Sequence, residues 1–162
     1  MATEVQQTLR DLLARHQSQF DWETEFSVAA TPVDVGGRHA ETTVIVELEW
    51  RRADPADNTA KLFRHLHEGT LDAETVLVVQ LFTERYDLQN GGVSSKRKNA
   101  EFVGRRAADS DPRVHYEAVD LAIDPPKRGG ELPDDWKQSV ASAAESVTEL
   151  IDRQAGTRGS DE

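Results

Sequence analysis

Three carboxylates, at Asp34, Glu47 and Glu49, have types and spacing that could bind a cation. Glu47 and Glu49 belong to the stretch VIVELEW (44–50), and successive side chains of a strand alternate between its two faces, so these two share one face. Asp34 lies next to Gly36 and Gly37, where we predict a hairpin turn, so it can approach them. Crowded carboxylates repel one another unless a cation neutralises them, and hard oxygen ligands suit Mg²⁺.

Each of these carboxylates also has a purely structural interpretation. Glu47 and Glu49 could form the wet face of an edge strand, which antiparallel sheets often have. Asp34 before Gly36 and Gly37 could serve turn chemistry alone. The sequence leaves both alternatives open.

The elements that must position these residues follow from hydrophobic periodicity and from turn and capping signals. We predict helices over 4–20, 54–69, 94–109 and 134–154, and strands over 24–37, 42–50, 74–82 and 113–123. The order α-β-β-α-β-α-β plus a C-terminal helix indicates an α/β fold, with one mixed central sheet flanked by helices. We predict a single domain over 1–154 and a disordered tail over 155–162.

The motif residues resemble those of the PD-(D/E)XK nuclease superfamily, the fold of type II restriction endonucleases. PVD (32–34) is similar to the first part of its motif, and ELE (47–49) is similar to the second, with Glu49 where lysine is usual. Some restriction enzymes of the superfamily carry glutamate there. The resemblance covers roughly residues 1–120 and implies a core of helix, three strands, helix and strand. The chain departs from it by lacking the motif lysine and by placing an extra helix before the third apolar strand.

The resemblance implies metal-dependent hydrolysis of DNA phosphodiesters. Asp34 and Glu47 would hold Mg²⁺ or Mn²⁺, which polarises the phosphate and acidifies a water, and Glu49 would orient or deprotonate that water. On the helix over 54–69, Asn58, Lys61 and His65 form a polar stripe. Lys61 could replace the missing lysine and contact the phosphate, whereas the alternative for Lys61 and His65 is a solvated helix face.

A basic cluster, SSKRKN (94–99), contrasts with the acidic remainder of the chain. Its Lys96, Arg97 and Lys98, with Arg105 and Arg106 on the same predicted helix, could contact nucleic-acid phosphates. The alternative is a helix start made soluble by charge, although cations at a helix N-terminus oppose the helix dipole.

The composition limits the partners and the compartment. The chain has 30 Asp plus Glu against 19 Lys plus Arg, a net charge of -11, and few lysines, which resembles proteins of salt-loving archaea. Net negative charge normally opposes nucleic-acid binding, but concentrated salt screens the repulsion. An ordinary acidic mesophile protein is the alternative.

Cysteines are absent, which excludes disulfides. The chain shows no apolar run of membrane-spanning length and no signal peptide, so we expect a cytoplasmic protein without a membrane partner.

Three functional interpretations follow from the sequence. The first is a metal-dependent DNA nuclease, and the second is a nuclease-like module without catalysis that binds DNA or a protein. The third is an unrelated acidic α/β protein. Because one domain of this size has little room for recognition loops, we expect a homodimer or a partner subunit to help read a DNA site.

Overall fold

A mixed sheet of five strands, in the order β1-β2-β3-β4-β5, forms the centre of the computed structural model, which describes residues 2–29, 31–69 and 71–160. The first three strands form an antiparallel meander, and β4 and β5 run parallel to β3. Their bounds are β1 Asp21–Val28, β2 Thr31–His39, β3 Thr42–Glu49, β4 Thr75–Phe82 and β5 Val114–Asp120.

Helices cover both faces of the sheet. They are α1 Ala2–His16, α2 Pro55–Glu68, α3 Ser95–Asp109 and α4 Trp136–Ser160, with a short 3₁₀ helix over Glu84–Tyr86. The predicted fold class, a single α/β domain with a mixed sheet flanked by helices and a C-terminal helix, is confirmed. Among the described helices, none combines the length and apolar character needed to cross a bilayer.

Two hydrophobic layers sandwich the sheet. The layer under α1 and α4 contains Leu9, Leu13, Val35, Val46 and Val147 among others. The layer under α2 contains Phe26, Val33, Ile45, Leu62 and Tyr116 among others. Every residue of β4 is buried, because the strand is paired on both sides and covered on both faces.

Helix α2 begins and ends at the predicted residues. The Asp54 carboxylate accepts a hydrogen bond of 3.3 Å from the backbone N–H of Asp57, and Pro55 occupies the first turn. At the other end, Gly69 donates its backbone N–H to the carbonyl of His65 at 2.8 Å. The capping signals in the sequence therefore fix the helix that carries Lys61.

The prediction of one strand over 24–37 that ends in a Gly-Gly turn is wrong. That stretch contributes to two strands, and Gly36 and Gly37 lie inside β2. A Cβ on Gly36 would lie 2.2 Å from the Phe26 ring, and one on Gly37 would lie 2.6 Å from the Trp22 ring. The glycines thus make room for aromatic rings of β1, and Asp34 lies within a strand.

The C-terminal helix also extends further than expected. The sequence predicts a disordered tail over 155–162, but α4 continues to Ser160, while residues 161–162 lie outside the described residues. Once a helix has formed, each added residue contributes one more backbone hydrogen bond, and no proline interrupts this stretch.

Candidate active site

The ladder between β1 and β2 is interrupted where Glu25 faces Asp34. Thr24 pairs with Val35 and Phe26 pairs with Val33, but the residues between them do not pair, and Glu25 has a positive φ of 51°. Val33 and Val35 are two residues apart, yet they pack in opposite hydrophobic layers. In a regular strand such residues share one face, so the side chains of β2 change face at Asp34.

Gln6 of α1 bridges this interruption. Its Nε2 donates hydrogen bonds to the Glu25 carboxylate at 2.9 Å and to the Asp34 carbonyl oxygen at 2.6 Å. The Gln6 side chain is buried, whereas its partner Glu25 is exposed. The helix therefore holds the irregular part of β1 and β2 in place.

The Asp34 carboxylate points toward β3. Its Oδ2 accepts a hydrogen bond of 2.7 Å from the backbone N–H of Leu48. Regular pairing between β2 and β3 ends at Val35 and Val46, so this side chain provides a partner for a backbone group beyond the end of the ladder. The bond fixes Asp34 beside Glu47.

Glu47 is a buried carboxyl group, with 6% of its surface exposed. Burial raises its pKa well above the ordinary 4.5, and the hydrogen bond and negative charge of Asp34 raise it further, while Arg52 acts in the opposite direction. Glu47 therefore retains a proton at neutral pH unless another cation takes its place.

Glu49 is completely buried at the end of β3. Its Oε1 accepts hydrogen bonds from Asn58 Nδ2 at 2.6 Å and from Gln80 Nε2 at 2.9 Å. Its Oε2 has no hydrogen-bond partner among the described residues and lies 3.4 Å from Arg52 Nε. Burial raises the pKa of Glu49 above its ordinary value, and the hydrogen bonds from Asn58 and Gln80 and the charge of Arg52 offset this only in part. Oε1 is thus fixed by two hydrogen bonds, whereas Oε2 has only the ion pair with Arg52.

A buried network fixes the amide that holds Glu49. Gln80 Nε2 also donates to Thr59 Oγ1 at 2.8 Å, and the Tyr116 hydroxyl donates to Gln80 Oε1. Burial raises the pKa of Tyr116, so the hydroxyl keeps the proton that it donates. The Gln80 amide can therefore face Glu49 only with its NH₂ group.

The two structural alternatives for these carboxylates are wrong. β3 is the third of five strands, and Glu47 and Glu49 are both buried, so they do not form the wet face of an edge strand. Asp34 lies within β2, so its carboxylate does not stabilise a turn.

A cleft of about 270 Å³ opens beside Asp34 and Glu47. It is lined by Glu25, Thr31, Pro32, Asp34, Glu47, Arg52, Asn58, Lys61 and Leu62. The structure thus brings the predicted Lys61 to the same space as two of the predicted carboxylates. Glu49 lies behind Arg52 and Asn58, and His65 is not part of the described lining.

The donor set in the cleft limits how a metal could bind. No group of three or more His, Cys, Asp or Glu side chains within residues 2–29, 31–69 and 71–160 is arranged to hold a metal ion. Asp34 and Glu47 offer two carboxylates, and Mg²⁺ in proteins often takes one or two and completes its shell with water and phosphate. The pair fits such an ion, because a cation beside Asp34 and Glu47 would compensate the negative charge that burial and Asp34 disfavour on Glu47.

The predicted basic residues of α3 differ in their surroundings. Lys96, Lys98 and Arg105 are exposed. Arg97 is buried, and its guanidinium lies 2.5 Å from the Asp120 carboxylate and 3.3 Å from that of Glu101. Arg97 therefore anchors α3 to β5, whereas the other three remain accessible to a ligand.

Sequence reasoning missed Gln80 and Arg52 and gave Asn58 no role. Gln80 has a signal, because it is the polar residue inside the apolar strand VLVVQLF. A buried polar side chain needs hydrogen-bond partners, so it marks a network. Arg52 lies in the segment after β3, and its sequence position carries no comparable signal.

The chain matches no protein-family model, no curated protein and no solved structure. Its function therefore has to be inferred from the chemistry of the cleft.

Proposed function

We propose that this chain is a nuclease that requires Mg²⁺ or Mn²⁺ and hydrolyses DNA phosphodiesters. The observation that carries the proposal is the placement of Asp34 and Glu47 side by side on a cleft whose wall also includes Lys61. A buried carboxyl beside a carboxylate is a costly arrangement that a divalent cation relieves. Lys61 and Arg52 add positive charge at the place where a phosphate would bind.

The order of the elements supports the resemblance described above. α1, β1, β2, β3, α2 and β4 follow one another as helix, three strands, helix and strand, which is the core order of the PD-(D/E)XK superfamily. The sequence predicts two strands before the helix over 54–69, which makes that helix an extra element. With β1 and β2 as separate strands, three strands precede α2, so α2 takes the place of the second helix in the core order. Asp34 lies on the second strand and Glu47 on the third, so the two acids occupy successive strands, which is the arrangement that the resemblance implies.

Asp34 and Glu47 would hold the cation. When bound, the ion supplies Lewis-acid stabilisation of the charge that develops on the phosphate. Asp34 is already oriented by the backbone N–H of Leu48, and Glu47 would exchange its proton for the ion.

The cationic side chains bind the phosphate, and Glu49 accepts a proton. Lys61 is exposed at the cleft and contacts a phosphate oxygen. Arg52, whose side chain is 54% exposed, leaves Glu49 for the phosphate and so uncovers Oε2. A water that attacks phosphorus then gives one proton to Glu49 Oε2, while the bond to the leaving oxygen breaks and that oxygen takes a proton from solvent.

Other parts of the proposal concern the surroundings of the site. The exposed Lys96, Lys98 and Arg105 contact DNA phosphates, and a second copy or a partner subunit completes the DNA-binding surface. High salt screens the net charge of -11 at long range, so contacts close to the cleft decide binding. A cytoplasmic location is part of the same proposal.

The test is nicking of supercoiled plasmid with Mg²⁺ or Mn²⁺ across a KCl series. We expect wild type to nick, and we expect Glu47→Gln to reduce nicking by roughly 10²-fold or more, because the amide cannot replace the carboxylate as a ligand. Glu49→Gln should lose roughly 10²-fold through loss of the proton acceptor while DNA binding persists.

Glu145→Gln provides the matched control, because Glu145 is exposed on α4 at the opposite face of the sheet. It should nick like wild type after the same purification. Equal nicking by wild type, Glu47→Gln and Glu49→Gln would indicate a contaminating nuclease and contradict the proposal.

One observation favours a second candidate, a nuclease-like module that binds DNA or a protein without cleaving it. Glu49 is fully buried and tied to Asn58 and Gln80, so its observed position does not meet solvent. Failure of wild type to nick at any tested salt or metal concentration, together with retained DNA binding, would support this module.

A further inference from the structure

Helix α3 displays an aromatic ring between two cations. Lys98, Phe102 and Arg106 follow one another at intervals of four residues, so they lie on one stripe of the helix, and all three are exposed. Phe102 has 61% of its surface exposed, and the Arg106 guanidinium lies 5.4 Å from the centre of its ring.

The packing of α3 explains why Phe102 points outward. The helix approaches the sheet through small residues, Ala100 and Gly104, and a Cβ on Gly104 would lie 2.4 Å from the Tyr116 ring. Phe102 therefore has no place in the core. A single exposed apolar side chain is ordinary, so the charges beside the ring carry the argument.

The charge of α3 contrasts with that of the chain. It carries five of the 19 cationic residues and only two acidic ones, Glu101 and Asp109, in a chain of net charge -11. Arg97 and Arg105 are paired with carboxylates. Lys98 and Arg106 form no salt bridge with any residue that the structure describes, so they are available to an anionic partner.

The stripe lies on a helix that starts close to the cleft. Glu49 on β3 pairs in register with Phe82 on β4, which pairs with Asp120 on β5, and Asp120 binds Arg97 in the first turn of α3. Strands are spaced by about 4.8 Å, so Asp120, which holds the first turn of α3 through Arg97, lies roughly 10 Å across the sheet from Glu49.

We propose that this stripe, Lys98, Phe102 and Arg106, binds single-stranded nucleic acid, with a base stacked on Phe102 and the two cations on flanking phosphates. Stacking on an exposed ring requires an unpaired base, whereas duplex bases are stacked on one another. The inference rests on the proposed function, which supplies nucleic acid as the substrate. It deepens that function, because it predicts that the protein binds unpaired strands more tightly than duplex.

The test measures binding without cleavage, so that it is independent of the proposed activity. Fluorescence anisotropy of a labelled oligothymidylate and of a labelled hairpin duplex is recorded in EDTA. Each titration uses the lowest KCl concentration at which circular dichroism shows every variant folded. We expect wild type to bind the single strand more tightly than the duplex.

Variants at Phe102 separate stacking from general apolar contact. Phe102→Leu keeps apolar area but loses the ring, and it should weaken binding by about fivefold or more, while Phe102→Trp should bind at least as tightly as wild type. Lys98→Gln and Arg106→Gln should each reduce the magnitude of the slope of log K against log salt concentration by roughly 0.7, because each removes one phosphate contact. Lys137→Gln, which removes an exposed cation from α4, is the charge control and should leave binding unchanged.

Three results would overturn the proposal. The first is no binding of oligothymidylate by folded wild type, and the second is binding by Phe102→Leu that equals wild type. The third is a dimer in sedimentation that Phe102→Leu abolishes, because the ring would then be covered by a second copy of the chain. Loss of nicking in the separate plasmid assay bears only on the proposed activity.

Discussion

The carboxylate of Asp34 on β2 accepts a hydrogen bond from the backbone N–H of Leu48 on β3, with 2.7 Å between Oδ2 and N. A side chain thus takes the role of a main-chain acceptor where the regular pairing of the two strands ends. The same residue lies against Glu47 and raises its pKa. Asp34 therefore contributes both to the fold and to the electrostatics of the cleft, and substitutions can separate these contributions.

Asp34→Ala should destabilise the protein by about 1–3 kcal/mol, because it leaves the Leu48 N–H without an acceptor. Asp34→Asn should cost much less, because its amide oxygen can still accept that bond. Urea unfolding of both variants measures the difference. Equal stability of the two variants would show that the hydrogen bond is unimportant.

Glu47 should make stability fall as pH rises. Its folded-state pKa lies above the unfolded value of 4.5, so the folded protein binds a proton that the unfolded chain releases. The stabilising contribution is complete below pH 4.5 and is lost progressively as pH rises toward the raised pKa, with a slope of at most about 1.4 kcal/mol per pH unit. Urea unfolding in EDTA between pH 6 and 9 should show this slope in wild type and a smaller one in Glu47→Gln. Parallel curves would contradict the assignment.

Mn²⁺ should bind to wild type and release a proton, because the ion displaces the one on Glu47. Titration calorimetry in two buffers of different ionisation enthalpy should reveal the release, and affinity should be higher at pH 8 than at pH 6. Asp34→Asn and Glu47→Gln should abolish binding, whereas Glu145→Gln should preserve it. Binding that persists unchanged in Glu47→Gln would place the ion elsewhere.

The melting temperature should rise with KCl concentration. At a net charge of -11 the folded chain repels itself, and salt screens that repulsion, with a Debye length of about 3 Å at 1 M. Thermal melts from 0.1 to 3 M KCl provide the measurement. A melting temperature independent of KCl would remove the salt-adapted interpretation and restore the charge argument against nucleic-acid binding.

Local signals in the sequence were sufficient for several elements of the fold. The caps at Asp54 and Gly69 defined α2, and the apolar run 74–82 defined the buried strand β4. The period of two placed Glu47 and Glu49 on one face, and the helical period placed Lys61 on the stripe that meets the cleft. Each of these signals lies within a few residues of the feature it predicts.

Features set by distant residues could not be predicted in this way. Gly36 and Gly37 indicate a turn unless the rings of Trp22 and Phe26 are known to cover them. The burial of Glu47 depends on β2 and α2, which are distant in sequence, and Arg97 is buried against the Phe82 ring of β4 while it pairs with Asp120 of β5. The change of face at Asp34 depends on Gln6 and Glu25, which lie on other elements.

The change of face along β2 also has a consequence for how the protein unfolds. Because Val33 belongs to one hydrophobic layer and Val35 to the other, a single stretch of backbone is anchored in both. If β2 detaches from one hydrophobic layer, its packing against the other layer is also weakened. The two halves of the interior are thus mechanically linked beside the cleft, which favours one cooperative unfolding transition over stepwise melting.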